Sequence, residues 1–313
     1  MSEADQPRWH IAGNGAVGMA LAYRLHRIGT PVTLLPHRDH GDRMDLEYEP
    51  FGEAAIPWTC DALARPDGRT IHDLVVCTKA YSVRDVLSTW GSSLAADARI
   101  YFLQNGIGFE TGDRPEGRRV LFVVNGGFTA YRTTSNHVVQ SAMKPIWIGD
   151  ETGDDAPSDL RGRLDTLRDA GFLVRWTTEI TLRRWEKISI NAVVNSQAVL
   201  HDCDNGHLLT HPDAVADTRS MCDELGTLFE AMSVELTGDR LLDATTNLLK
   251  ATSRNVCSTL QDYRHGLARH ELDYINGALL EQARKNAIPM PRFEAIYTDV
   301  VAKFRGNASP ASS

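Results

Sequence analysis

The first thirty residues narrow the choice of fold more than any other part of this chain. Trp9–Gly13 (WHIAG) is a short apolar run, Gly13-Asn14-Gly15-Ala16-Val17-Gly18 is a G-x-G-x-x-G loop, and VGMALAYRLHRIG continues with helical spacing. Strand, glycine turn and helix in that order form the opening βα unit of a dinucleotide-binding sheet. The first glycine permits the tight turn and the second lets the backbone approach a pyrophosphate. The third packs helix against strand, and the amides at the helix start face the anion. A second strand, Val32–Leu35, follows at the proper distance. The alternative is a glycine-rich turn without a ligand.

The rest of the first half repeats the theme. HDLVVCTK, ARIYFLQNG, VLFVVNGG and FLVRW are β-branched bursts bounded by turn residues, separated by helical stretches. Such alternation predicts βαβ units and a mainly parallel sheet. From about residue 179 helical periodicity takes over, at 180–200, 213–234, 239–264 and 267–287. The expected fold is therefore α/β, a Rossmann-type doubly wound sheet over residues 1–178 followed by an all-helical domain over 179–305. The small polar end, 306–313, is expected to be a flexible tail. A chain of 313 residues suits two domains.

A formal charge of −8 leaves no excess of Lys and Arg for nucleic acid or an anionic membrane. The start, MSEADQPRW, lacks the pattern of a signal peptide, and no apolar run approaches a membrane span, so a cytoplasmic protein acting on small molecules is expected. Five scattered cysteines with no C-x-x-C pair predict neither disulfides nor zinc. Two acidic or histidine-bearing stretches are read as metal-free: GDETGDDAPSD (149–159) lacks the order of a calcium loop, and His207 with His211, near Asp202 and Asp204, lacks a zinc motif. The sequence leaves open a monomer or a homodimer.

Two further patterns bear on chemistry. Where an NAD-binding domain would place an acid after the second strand, this chain has His37 and Arg38, which suits the 2′-phosphate of NADP; a merely solvated Arg38 is the other reading. On a helix over RWEKISINAVVN, Lys187, Asn191 and Asn195 drift by only about 40° per step and share one face, flanked by Ile190, Val194 and Ala198. One cation with two carboxamides among aliphatics reads as the wall of a cleft, or else as a snorkelling lysine beside core asparagines. Asn255, Ser258 and Asp262 are expected on one face of another helix.

With GNGAVG (13–18), CTKAY (77–81), LQNGIG (103–108), NHVVQ with IWIGD (136–150), WEKISINAVVNSQAVLHDCDNGHL (185–208), NVCSTLQD (255–262) and HELDYING (270–277), the chain resembles the ketopantoate reductase family along nearly its whole length. The resemblance implies NADPH-dependent reduction of 2-dehydropantoate to (R)-pantoate, on the way to pantothenate and coenzyme A, with the ligand cleft between the two domains. It implies Lys187 as catalytic acid, with Glu271 and Asn105 also catalytic, and Asn191, Asn195, Asn205, Asn255 and Ser258 as substrate contacts. Glu271 would meet the hydroxyl end of the substrate. NADP would be held by Gly13, Asn14, Gly15, Ala16, Val17, Gly18, His37, Arg38, Lys79 and Asn105. Alternatives on the same scaffold are a reductase of another 2-oxo acid and a sensor that binds NADP without turnover.

The chain departs from the family pattern in three places. Ser196-Gln197 stands where Pro and an aliphatic residue are usual. One extra residue separates Gln261 from Glu271, which on a continuous helix would rotate Glu271 by about 100°. His270, Cys257 and Thr259 replace Thr, Ser and Met.

Overall fold

The computed structural model describes residues 8–109, 116–267 and 269–307. The signal-peptide reading of the first residues and most of the expected tail lie outside the described residues. By contacts the chain divides into two compact units, Met1–Gln104 with Glu110–Ile180, and Asn105–Phe109 with Thr181–Ser313.

The first unit is built on β1 (Trp9–Ala12), α1 (Ala16–Arg27), β2 (Val32–Leu35), β3 (Arg43–Glu49), β4 (Ile56–Ala62), β5 (Ile71–Val76), α2 (Val83–Trp90), β6 (Leu94–Phe102), β7 (Arg119–Asn125), β8 (Thr129–Arg132), β9 (His137–Ala142), β10 (Ile146–Gly149), α3 (Arg161–Asp169) and β11 (Val174–Trp176). The strands form one sheet in the order β11-β10-β7-β6-β5-β1-β2-β4-β3-β9-β8. Neighbours from β7 through β4 pair in parallel, whereas β10 and β3 join their inner neighbours antiparallel. The central strands read as unbroken apolar runs because both faces are covered. β3, by contrast, alternates exposed and buried residues along RMDLEYE, the period-two pattern of a strand with one wet face. Trp9, Ile11, Leu25, Leu34, Tyr101 and Phe172 belong to the core of this unit.

The fold places one base where it cannot easily take a proton. His10, in β1, is 4% exposed and its Nδ1 has no partner. Burial, helped by Arg8 and Arg69, lowers its pKa from 6.5 to about 4. The unfolded chain thus binds this proton below its ordinary value while the folded chain resists it, so stability is present above pH 6.5 and is lost as pH falls towards 4. Urea unfolding at about pH 7 and about pH 5 should show an acid loss on the order of 2 kcal/mol that His10→Leu lacks. Equal acid loss in both proteins would remove this account of His10.

The second unit contains α4 (Ile180–His201), α5 (Pro212–Ala231), α6 (Gly238–Ala251), α7 (Ser258–Arg264), a π turn (Asp273–Gly277), α8 (Ala278–Lys285) and α9 (Pro291–Asn307). Its core gathers Ile188, Val193, Leu225, Phe229, Ile275, Phe293 and Ile296. No helix among the described residues is long and apolar enough to cross a membrane.

Two expected helices are corrected here. The stretch 239–264 is interrupted: α6 ends at Ala251, residues 252–257 are not helical, and α7 begins after Cys257, whose Sγ accepts from Leu260 N. Thr252, Ser253 and Asn255 have side chains that compete for backbone bonds, and here Thr252 Oγ1 donates back to Leu248 O. In the stretch 267–287, residues 269–271 are not helical, and the chain winds from Leu272 through the π turn into α8.

Candidate functional site

The glycine loop sits where the strand order of the sheet reverses, since β1 lies between β2 and β5. Crevices at such points receive ligands in open α/β sheets. Gly13 has φ +105°, and a Cβ there would lie 3.0 Å from Thr78 N and 3.1 Å from Cys77 C. A Cβ on Gly18 would fall 2.1 Å from Gly13 O. The first and third glycines are thus demanded by the fold itself. Gly15 differs. Its backbone is extended, with φ −75° and ψ 176°, and a Cβ would meet nothing within 4 Å. Open space beside the N-cap, no capping side chain and no acidic residue in the first turn of α1 fit an anion such as a pyrophosphate.

His37 and Arg38 follow β2 and are both exposed. The neighbouring Asp39 turns its Oδ1 to Gly41 N at 2.8 Å. Lys79 is half-buried and stands at the N-cap position of the short turn Ala80–Ser82 after β5. Gln104, a motif residue to which the sequence assigned no role, ties β6 to the end of β5 by donating to Val76 O (2.8 Å) and Thr78 O (3.0 Å).

In the second unit α4 carries Lys187, Asn191 and Asn195 at intervals of four, with Lys187 and Asn191 half-buried and Asn195 buried. Ile188, Ala192, Val193 and Val194 around them are buried. Neither carboxamide makes a hydrogen bond among the described residues, so both keep donor and acceptor capacity. Burial pushes the Lys187 pKa from 10.5 down to about 8, and the carboxylate of Glu271 opposes that shift. Glu271 is 8% exposed. The sequence motifs placed a lysine and a glutamate far apart in the chain; the fold brings them within electrostatic reach. Asn105, half-buried, belongs to this same unit.

The model for "Ketopantoate reductase PanE/ApbA" matches residues 9–153, and that for its C-terminal part matches residues 179–303. The chain belongs to the ketopantoate reductase family. It is similar to 2-dehydropantoate 2-reductase of Shigella flexneri, at 28% identity over 239 residues, or 76% of each chain. Among solved structures, a PanE/ApbA family ketopantoate reductase from Ralstonia eutropha JMP134 superposes with a TM-score of 0.84 at 21% identity, covering 96% of this chain and 100% of that one. A D-mandelate dehydrogenase with NADH and anilino(oxo)acetate gives 0.85 at 19% identity, covering 97% and 100%.

The remaining residues singled out by the ketopantoate reductase motifs lie in the second unit. Asn205 is buried; its backbone N donates to Asn255 O at 3.0 Å, its Nδ2 donates to Thr252 Oγ1 at 2.8 Å, and its Oδ1 has no partner. It acts first as a brace for the 252–257 loop. Asn255 and Ser258 are exposed. Asn255 is not on the helix of Ser258 and Asp262, which corrects the expectation of a single face: the chain is non-helical until Cys257, so helical spacing does not apply across it.

The two larger departures from the family pattern find physical answers. The extra residue before Glu271 falls where α7 has already ended at Arg264 and Gly266 takes φ +66°, so it does not rotate Glu271 as it would on a continuous helix. Ser196 is buried and its hydroxyl donates to Ala192 O, while Gln197, also buried, donates from Nε2 to Thr218 Oγ1 at 2.8 Å and so ties α4 to α5. Among the described residues no group of three or more His, Cys, Asp or Glu is arranged to hold a metal ion. Sequence reasoning missed Arg184, a buried guanidinium 6.0 Å from the Phe109 ring centroid; only its position one turn before Lys187 could have marked it.

Proposed function

We propose that this protein is an NADPH-dependent 2-dehydropantoate 2-reductase forming (R)-pantoate. The observation that carries the reading is Lys187, an ammonium with a pKa lowered to about 8, beside Glu271 and in line with two unbonded carboxamides. Reduction of a ketone builds negative charge on oxygen, so the protein must supply a cationic donor that can also deliver a proton. A lysine partly withdrawn from water does both: near neutrality it is still mostly protonated, yet it is a stronger acid than a solvated one. Asn191 and Asn195 can orient the 2-oxo acid by hydrogen bonds without adding charge. Glu271 keeps Lys187 protonated at rest and can accept a hydrogen bond from a substrate hydroxyl. Asn105, in the same unit, is a donor for the carbonyl or the nicotinamide amide.

The nicotinamide cofactor supplies the hydride. Gly13 to Gly18 would hold its pyrophosphate, Lys79 would lie along it, and His37 and Arg38 would meet the 2′-phosphate. Arg38→Ala is expected to weaken NADPH binding by about tenfold while leaving NADH unchanged, as fits loss of one charge-assisted contact. Equal wild-type affinity for the two cofactors, measured by fluorescence titration, would remove the assignment of Arg38.

A second reading, reduction of another 2-oxo acid, is supported by the shared fold of the D-mandelate dehydrogenase. A panel of 2-oxo acids with NADPH separates the two. Ketopantoate should have the highest kcat/KM; a straight-chain or aromatic 2-oxo acid reduced far faster would replace the named substrate. No turnover with any of them would leave a protein that binds the cofactor only.

A further inference from the structure

The π turn Asp273–Gly277 touches three separate parts of the second unit, and two of those contacts fall within two residues of a residue of the proposed site. Its first contact is with the 105–109 loop: Ile107 N donates to Tyr274 O at 2.9 Å, and the Ile107 side chain packs on the core of the unit. Gly106 lies so close that a Cβ would sit 2.5 Å from Tyr274 O and 2.9 Å from Tyr274 Cβ, and its φ is +115°. The second contact is with α4. Asn276 is fully buried, and its Nδ2 donates to Ala192 O at 3.2 Å, one residue beyond Asn191. The third is with α9, where Tyr297 Oη donates to Asp273 Oδ1 at 2.6 Å. At its start the amides of Tyr274 and Ile275 donate to Glu271 O at 3.0 and 3.1 Å.

A buried carboxamide is costly unless bonded, and Asn276 has its Oδ1 unpaired while Nδ2 reaches the carbonyl of another helix. An apolar residue would fill the same space without that cost. π turns are rare and cluster at functional sites. We infer that Asn276 is a positioning residue: through the π turn it fixes the Lys187 helix, the backbone of Glu271 and the Asn105 loop in one register, with Gly106 as the close contact that seats the loop. This rests on the reading of Lys187 as proton donor. Asn276 itself need not touch substrate; it acts through Ala192 O on one side and Tyr274 O on the other.

The test uses the full chain and has two readouts. In Asn276→Ala, kcat should fall by about 10- to 100-fold, the loss expected from an ångström-scale misplacement, with NADPH affinity within about twofold of wild type. The alkaline limb of the pH profile should move towards the ordinary lysine value as α4 loosens and Lys187 gains water. Independently of activity, hydrogen–deuterium exchange over residues 103–109 should speed up, because the Ile107 amide loses its seat. Gly106→Ala should give the same exchange result from the loop side and carries the test if Asn276→Ala does not fold. Unchanged exchange at Ile107 together with an unmoved pH profile would overturn the proposal. If the wild type reduces no 2-oxo acid, the reading of Lys187 fails, and the exchange result alone then decides whether the π turn holds the loop.

Discussion

Lys187→Ala is expected to lower kcat for ketopantoate by about 10²- to 10⁴-fold, the span of a positioned general acid, and to leave NADPH affinity nearly unchanged. The separation follows from where the residues lie. Lys187 is on α4 in the second unit, whereas the glycine loop belongs to the first. Lys187→Arg should be nearly as inactive as alanine. It keeps the charge, but a guanidinium does not give up its proton near neutrality, so an arginine could stabilise oxygen charge and still fail to protonate it. Steady-state kinetics with both variants distinguishes a donor from a mere counter-charge: recovery of most of the rate in Lys187→Arg would assign Lys187 an electrostatic role only.

Gly15→Val should abolish cofactor binding without unfolding the protein. The other two motif glycines cannot give so clean a result. A side chain on Gly18 would meet Gly13 O at 2.1 Å, and Gly13 takes a positive φ against Thr78, so changes there damage the sheet as well as the loop. At Gly15 the backbone already suits a side chain and the space is open. Exchanging Gly for Val at an N-cap costs on the order of 1 kcal/mol, a shift of a few degrees in Tm. Loss of two charge-assisted bonds to phosphate, at about 1.5–3 kcal/mol each, should weaken NADPH by at least about 100-fold. A Kd within a few-fold of wild type would mean that the open space beside Gly15 is not the anion site.

Much of this is legible in the chain because the motifs are local. Strand, glycine loop and helix are contiguous, so the separate tasks of Gly13, Gly15 and Gly18 follow from their order alone. Lys187, Asn191 and Asn195 share one helix, and their common face follows from its period. What the sequence could not show depends on contacts between distant segments. The end of α6 at Ala251 is set by Thr252 turning back on Leu248 and by Asn205 bracing the loop from another segment, neither of which alters the helical periodicity of 239–264. The register of Glu271 is unreadable from spacing because a count of residues presumes a continuous helix, whereas α7 ends at Arg264 and Gly266 takes a positive φ before Glu271 is reached. Gln104 and Asn276 stand inside recognised motifs, yet their roles come from carbonyls of Val76, Thr78 and Ala192, which no spacing rule points to. The antiparallel pairing of β3 with β4, of β10 with β7 and of β8 with β9 is not legible in the sequence for a similar reason: period-two alternation marks a strand but not its partner.

The most direct measurement is the pH dependence of kcat/KM for ketopantoate in saturating NADPH, which reports the ionisation of the acid in the enzyme before the ketone binds. With Lys187 as donor, the profile should be level through neutrality and fall about tenfold per pH unit above a midpoint near 8, the value set by burial against Glu271. A rate that stays level past the ordinary lysine value of 10.5, or a midpoint near 8 that persists in Lys187→Ala, would contradict it.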